Sequence, residues 1–259
     1  VPGTLPGELA ATRDQYTRWL KMIGNAGFNS IRVYTLHYPR FYQELALYNN
    51  AHPDKPIYLF QGVWLQEDTL NGDLYPYTDG FDAGIKEVID CIHGKKEIGE
   101  RYGRAYGKFD ADVSRWTMGY ILGREIHPYE VDSTNFYNSS YISYEGTTLK
   151  LPQGTPTEVW LATRLDNLLK FEKTQYKTQR PVSVSSWPTL DPIDHPSEPD
   201  TITDEDKFQL DLQQIEMYNA PAGYFASYHA TRIIPILLTA IRHIRMLPMK
   251  EDRTVIWDT

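Results

Sequence analysis

The sequence has 259 residues, and its 34 acidic and 26 basic side chains give a formal net charge of -8 at pH 7. This length suits one large domain, and the acidic balance argues against a nucleic-acid groove or an anionic membrane surface as the main partner. Cys91 is the only cysteine, which excludes a disulfide within the chain and a cysteine-based metal cluster.

Aromatic residues are abundant for a chain with a mean hydropathy of -0.50, at 13% with 19 Tyr and 6 Trp. Such rings suit a surface that stacks on flat, hydroxyl-rich ligands, although an ordinary aromatic core needs them too. We predict no metal and no cofactor, because the seven histidines show no metal-ligand spacing. No apolar run reaches the roughly 18 residues of a membrane span, so none is predicted in this chain.

The first half of the chain alternates helical and strand patterns. Thr12 and Gln15 form a capping box for a first helix, and a second helix is predicted over 39–50. The β-branched run SIRVYTL (30–36) and the apolar run IYLFQGVW (57–64) predict strands.

The same alternation continues toward the end of the chain. Helices are predicted over 85–92, from Pro156 after the N-cap Thr155, and weakly over 208–218, with a loop over 132–146. Three further strands are predicted: TMGYILGRE (117–125), PVSVSSW (181–187) and AGYFASYH (222–229).

This order of elements predicts an α/β fold built from parallel βαβ units. No glycine-rich phosphate loop follows any strand, which disfavours a nucleotide-binding doubly wound sheet. The strands end in polar or aromatic residues, as in a (β/α)8 TIM barrel, where the active site lies at the carboxyl ends of the strands. Only five strands are evident, so the predicted barrel is incomplete.

Glu125 ends the strand 117–125, which would hold its carboxyl group in a fixed pose at the barrel mouth, as general acid catalysis requires. Arg124 would point to the opposite face and pair behind the barrel. His127 would lie on the side of Glu125 if the strand continues that far. The alternative is that Glu125 forms only a salt bridge at the start of a loop.

Three segments carry a family resemblance: NAGFNSIRVYTLHYPRFYQEL, MGYILGREI and AGYFASYH. In this order they resemble the catalytic barrels of the large retaining glycoside hydrolase clan that includes families 2 and 5. The resemblance implies that Glu125 ends the fourth strand as the acid/base and that a glutamate on the seventh strand is the nucleophile. It also implies that Arg32, in the pattern Phe-Asn-x-Ile-Arg, helps to hold the nucleophile. Tyr228 and His229 match a pair that often ends the sixth strand.

Two features depart from that family pattern. Arg124 stands where the clan usually has an asparagine that binds the sugar 2-hydroxyl, so either its guanidinium replaces that contact or sugar recognition differs. The first, seventh and eighth strands are not evident, and the nucleophile strand is expected after residue 230.

The composition changes at residue 231. Residues 231–250 contain no acidic and no aromatic side chain but are dense in Ile, Leu and Arg, which predicts a basic amphipathic helix. Alternatively the tail is a frameshifted translation, because a codon string for Thr231 to Leu237 read one base earlier encodes Tyr-Pro-Tyr-Tyr-Pro-Asp-Phe. We therefore divide the chain into a partial TIM-barrel catalytic domain, 1–230, and an anomalous tail, 231–259.

The sequence predicts a retaining glycoside hydrolase barrel for a β-linked oligosaccharide or polysaccharide, with Glu125 as acid/base and this chain inactive for want of the nucleophile strand. The alternatives are a non-catalytic carbohydrate-binding barrel and a glycan transferase on the same fold. The predicted substrate-binding residues are Arg32, Tyr34, His37, Trp64, Arg124, His127, Trp187, Tyr228 and His229.

Overall fold

The computed structural model describes residues 11–67, 71–194 and 206–229. Its helices there are α1 (Arg13–Asn25), α2 (Pro39–Ala51), α3 (Thr78–Ile92), α4 (Pro128–Tyr137) and α5 (Pro156–Tyr176). Its strands are β1 (Ser30–Val33), β2 (Tyr58–Val63), β3 (Lys96–Ile98), β4 (Gly107–Phe109), β5 (Thr117–Leu122), β6 (Tyr144–Glu145), β7 (Leu149–Leu151), β8 (Val182–Ser186), β9 (Glu216–Met217) and β10 (Ser227–Tyr228).

The main sheet has five strands in the order β1-β2-β5-β8-β10, and every neighbouring pair is parallel. Spatial order follows chain order, as expected when each connection crosses back over the same face. The carboxyl ends of all five strands therefore lie at one edge of the sheet. Side chains that follow these strands meet there.

The outer face of the sheet packs against the helices and forms the core. Leu59, Val63, Tyr120, Leu122 and Val184 alternate along the strands and are buried. They pack against apolar helical side chains that are also buried, namely Leu20, Phe41, Leu45, Ile85, Ile89, Leu165 and Leu169. Because the helices cover only the outer face, the inner face of the sheet is lined by the strands' own alternate side chains.

The sheet is curled into half of a barrel. The guanidinium of Arg32 on β1 donates to the hydroxyl of Ser185 on β8 at 2.6 Å across the inner face. In a flat sheet, β1 and β8 would lie three strand spacings, about 14 Å, apart. The direct contact between their side chains therefore requires the sheet to curl. Lower in the interior, the rings of Phe60 and Phe225 lie 5.8 Å apart. A Cβ atom at Gly119 would lie 3.1 Å from the Phe225 ring and 2.8 Å from the Pro181 carbonyl oxygen, so the interior requires glycine there.

Two small antiparallel sheets flank the half-barrel. Strands β3 and β4 form a hairpin, and β6, β7 and β9 form a three-stranded sheet over α5. Asp166 on α5 joins the second sheet to the helix, because its carboxylate accepts hydrogen bonds from Tyr144, Thr147 and Thr148. These elements lie outside the parallel sheet.

The structure confirms the five predicted strands of the main sheet and four of the predicted helices, with boundaries shifted by a few residues. The predicted helix over 208–218 is wrong: a single 3-10 turn and strand β9 occupy this segment. The predicted loop over 132–146 is also wrong, since it contains most of α4 and strand β6. Strand β5 ends at Leu122 and not at Glu125 as predicted, so the condition for placing His127 on the side of Glu125 by strand alternation is not met.

The observed architecture is thus an α/β fold with a parallel half-barrel. The tail over 231–259, with the helix and the frameshift hypotheses that concern it, lies outside the described residues. In the described part of the chain, no helix combines the length and apolar character that a bilayer span needs.

Candidate active site at the carboxyl end of β5

A glycine turn delivers Glu125 to the mouth of the half-barrel. Gly123 follows β5 with a φ of 86°, a left-handed conformation that few other residues adopt. Its amide still donates to the Val63 carbonyl oxygen at 2.9 Å, so the turn stays attached to β2. The chain then bends away from the sheet and carries Arg124 and Glu125 beyond the strand edge.

The Glu125 carboxylate is hydrogen-bonded to His229. Nδ1 of His229 lies 2.8 Å from Oε1 of Glu125, and Nδ1 is the donor whenever Glu125 is ionised, because a carboxylate only accepts. His229 follows β10, and its amide donates to the Ser186 carbonyl oxygen at 2.8 Å. The Glu125 side chain is 43% exposed and that of His229 only 13%. One oxygen of an accessible carboxylate is thus fixed by a largely buried ring.

Tyr34 and Arg32 extend this contact across the interior. The rings of Tyr34 and His229 meet edge to face at 5.5 Å, and the Arg32 guanidinium lies 4.5 Å from the centre of the Tyr34 ring. Since Arg32 also donates to Ser185, an unbroken series of contacts joins β1, β8 and β10 to Glu125. The positive charge of Arg32 lies beside the site.

Trp187 and His127 form the opposite border of the site. The indole Nε1 of Trp187 donates to the Ile126 carbonyl oxygen at 2.9 Å, which ties the end of β8 to the loop of Glu125. The His127 ring lies 6.1 Å from the Trp187 ring at an interplanar angle of 88°. Trp64 follows β2 and is 42% exposed. Aromatic rings therefore follow three of the five parallel strands at the edge that carries Glu125.

Three of the predicted site residues, Arg124, His37 and Tyr228, interact with groups other than the Glu125 carboxylate. Arg124 is buried in a bidentate ion pair with Glu130, at 2.7 and 2.8 Å. It also donates to the carbonyl oxygens of Gln66 and Glu125. The structure thus places Arg124 inside the protein rather than at the exposed surface beside Glu125.

The interactions of His37 and Tyr228 involve other groups than the Glu125 carboxylate. The His37 ring packs on Phe41 at 4.7 Å and shares a hydrogen bond of 3.1 Å with the Tyr16 hydroxyl. Burial lowers the pKa of His37 to about 4. Tyr228 is the last residue of β10 and is 43% exposed. Partial burial of its hydroxyl, followed by the charges of Asp191 and Asp211, raises its pKa.

Sequence reasoning missed two residues that shape the site. Ser185 anchors Arg32, and the alternation in PVSVSSW already placed it on the same face as Trp187. Glu130 holds Arg124, and a helix start at Pro128 with an acidic residue in its first turn was readable from the sequence. Both signals were local, but the contacts that give these two residues their roles join separate segments of the chain.

The described residues contain no group of three or more His, Cys, Asp or Glu side chains that could hold a metal ion. Comparison with known proteins gives no matching family model, no matching curated protein and no matching solved structure.

Proposed function

We propose that this half-barrel is the acid/base side of a (β/α)8-barrel glycoside hydrolase that cleaves a β-linked glycan with retention. The observation that carries the proposal is the Glu125 carboxyl group. It lies accessible at the carboxyl end of the middle strand of a parallel sheet, held by His229 and bordered by aromatic rings. The resemblance of the three sequence segments supports the same assignment.

In the proposed mechanism, Glu125 transfers a proton to the leaving glycosidic oxygen, and its carboxylate later takes a proton from the water that completes hydrolysis. The hydrogen bond from His229 engages Oε1, so we assign the proton transfer to Oε2. Trp187, Tyr34 and Trp64 offer ring faces on which sugars stack. The nucleophile is expected on the seventh strand, after residue 230, outside the described residues.

Binding is tested first on the chain itself. Tryptophan fluorescence of the dilute protein is titrated with a panel of neutral β-linked oligosaccharides. We expect saturable binding that Trp187→Ala weakens and Glu125→Gln preserves, because glutamine keeps the volume of the side chain and loses only the acid. Absence of binding to the whole panel would contradict a carbohydrate site.

Turnover is tested in a version of the protein in which the alternative reading frame after residue 230 is restored. Glu125→Gln should lose most hydrolysis of substrates with poor leaving groups, roughly the 10²- to 10⁴-fold that a general acid contributes. Activated aryl glycosides should be less affected in the glycosylation step. Parental rates on a natural substrate would refute the acid/base assignment, and glycan binding without turnover by the parent would favour the non-catalytic alternative.

A further inference from the structure

Aromatic side chains continue from the candidate site onto helix α4. Trp187 contacts His127 edge to face, and the His127 ring lies 5.7 Å from the Tyr129 ring with only 17° between their planes. Tyr129 lies in the first turn of α4 and is 51% exposed. The series thus leads outward from the loop that carries Glu125.

The exposed face of α4 prolongs this series. Residues three, four and seven positions apart share one face of a helix, so Phe136 lies on the same side as Tyr129, about 10 Å farther along the axis. Phe136 is 76% exposed, and its ring meets that of Tyr137 at 5.2 Å. We call Trp187, His127, Tyr129, Phe136 and Tyr137 the aromatic track.

The inner face of the same helix is firmly anchored. Val131, Glu130 and Thr134 are fully buried. Glu130 pairs with Arg124, and the Thr134 hydroxyl donates to the Gly72 carbonyl oxygen and accepts from the Leu74 amide. The outward rings are therefore presented by a fixed support, which lowers the entropy cost of binding a ligand across them.

Resting on the proposed function, we propose that the aromatic track binds an extended, neutral glycan chain whose scissile end lies at Glu125. A half-buried ring, Trp187, followed by exposed rings on α4 offers repeated flat apolar surfaces to a polymer of flat, hydroxyl-rich units, whereas a short saccharide would occupy only the mouth of the half-barrel. The net charge of -8 disfavours a polyanionic polymer. The continuity of the track with the site selects a glycan over a protein as its occupant.

The test measures how the affinity for a glycan depends on glycan length, from disaccharide to hexasaccharide. Three proteins are compared: the parent, the double variant Tyr129→Ala/Phe136→Ala and the variant Phe28→Ala. Phe28 is the matched control, because it is 64% exposed and precedes β1, at the opposite end of the sheet. We expect the parent to bind longer chains more tightly. The double variant should lose about tenfold on the hexasaccharide and nothing on the disaccharide, and Phe28→Ala should behave as the parent.

Each outcome is informative. Equal affinity for all lengths, with no effect of the double variant, would overturn the aromatic track and leave the proposed function standing. Absence of binding to every saccharide would overturn both. If the double variant instead abolishes self-association of the protein without changing glycan affinity, α4 carries a protein interface and the glycan assignment is wrong. Thermal unfolding of all three proteins at matching temperatures verifies that the exposed substitutions leave the fold intact.

Discussion

At the residue scale, the two neighbours Arg124 and Glu125 have opposite surroundings. The carboxylate of Glu125 is accessible, whereas the side chain of Arg124 is 3% exposed and its partner Glu130 is fully buried. A buried guanidinium is tolerable only because a bidentate carboxylate compensates its lost hydration. This pair fixes the start of α4 next to the loop that carries Glu125.

Removal of the buried carboxylate should therefore be costly. We expect Glu130→Ala to reduce the free energy of unfolding by about 3–5 kcal/mol, because it leaves the Arg124 charge buried without its main partner. Glu67→Ala is the control: Glu67 also lies 3.3 Å from Arg124 but is 58% exposed, and its loss should cost less than about 1 kcal/mol. Denaturant titration of both variants measures the difference, and equal costs would refute the argument.

His37 makes stability depend on pH at the same scale. Burial lowers its folded-state pKa to about 4, and in the unfolded chain the pKa returns to about 6.5. Between these values the unfolded state binds a proton that the folded state does not, so the free energy of unfolding falls as pH falls through this window.

From pH 7 to pH 5 the loss due to His37 should be about 2 kcal/mol. Denaturant titrations at the two pH values should show this loss in the parent and a smaller one in His37→Gln. The exposed residue His52 provides a comparison, and His52→Gln should lose as much as the parent. The prediction fails if His37→Gln shows the full loss of the parent.

At the element scale, Asp166 connects helix α5 to the β6-β7-β9 sheet. Oδ1 accepts from the amide and hydroxyl of Thr148, and Oδ2 accepts from the amide of Thr147 and the hydroxyl of Tyr144. Burial raises the pKa of Asp166, but the four hydrogen bonds together lower it by a larger amount. The net pKa of Asp166 therefore lies below the ordinary value. The loop between β6 and β7 depends on one ionised side chain.

Asp166→Asn should destabilise this junction by about 1–3 kcal/mol, because in either orientation the new amide group faces two donors. Hydrogen exchange at the amides of Thr147 and Thr148 should accelerate in the variant. Lys150→Ala removes the exposed ion pair with Glu216 in the same sheet and should leave exchange at these amides nearly unchanged. Unaltered protection in Asp166→Asn would show that the carboxylate does not hold the loop.

At the scale of the whole molecule, the described half-barrel has open edges. In residues 11–67, 71–194 and 206–229, β1 pairs only with β2, and β10 pairs in the sheet only with β8. Parallel strands that are covered on their outer face present unpaired backbone groups along such edges, and these groups promote pairing with other chains. A closed barrel removes the edges.

We therefore expect the purified chain of 259 residues to self-associate increasingly with concentration and to turn over no aryl glycoside. Size-exclusion chromatography over a concentration series and a glycoside panel measure the two properties. A monomer at every concentration, with turnover that Glu125→Gln abolishes, would contradict both. Sequencing the locus in all reading frames would decide the frameshift hypothesis independently.

The sequence alone determined the parallel strands and most helices, because alternating apolar runs and capping residues such as Thr155 are local signals. It also placed Glu125 at the end of a strand of the sheet, although that strand ends three residues earlier, at Leu122. Only the tertiary structure brought His229 onto that carboxylate, since 104 residues separate the two along the chain. The curl of the sheet likewise joined Arg32 to Ser185, and packing between α1 and α2 drew His37 away from the site. Contacts between distant segments depend on the closure and packing of the sheet, which no local pattern of residues encodes.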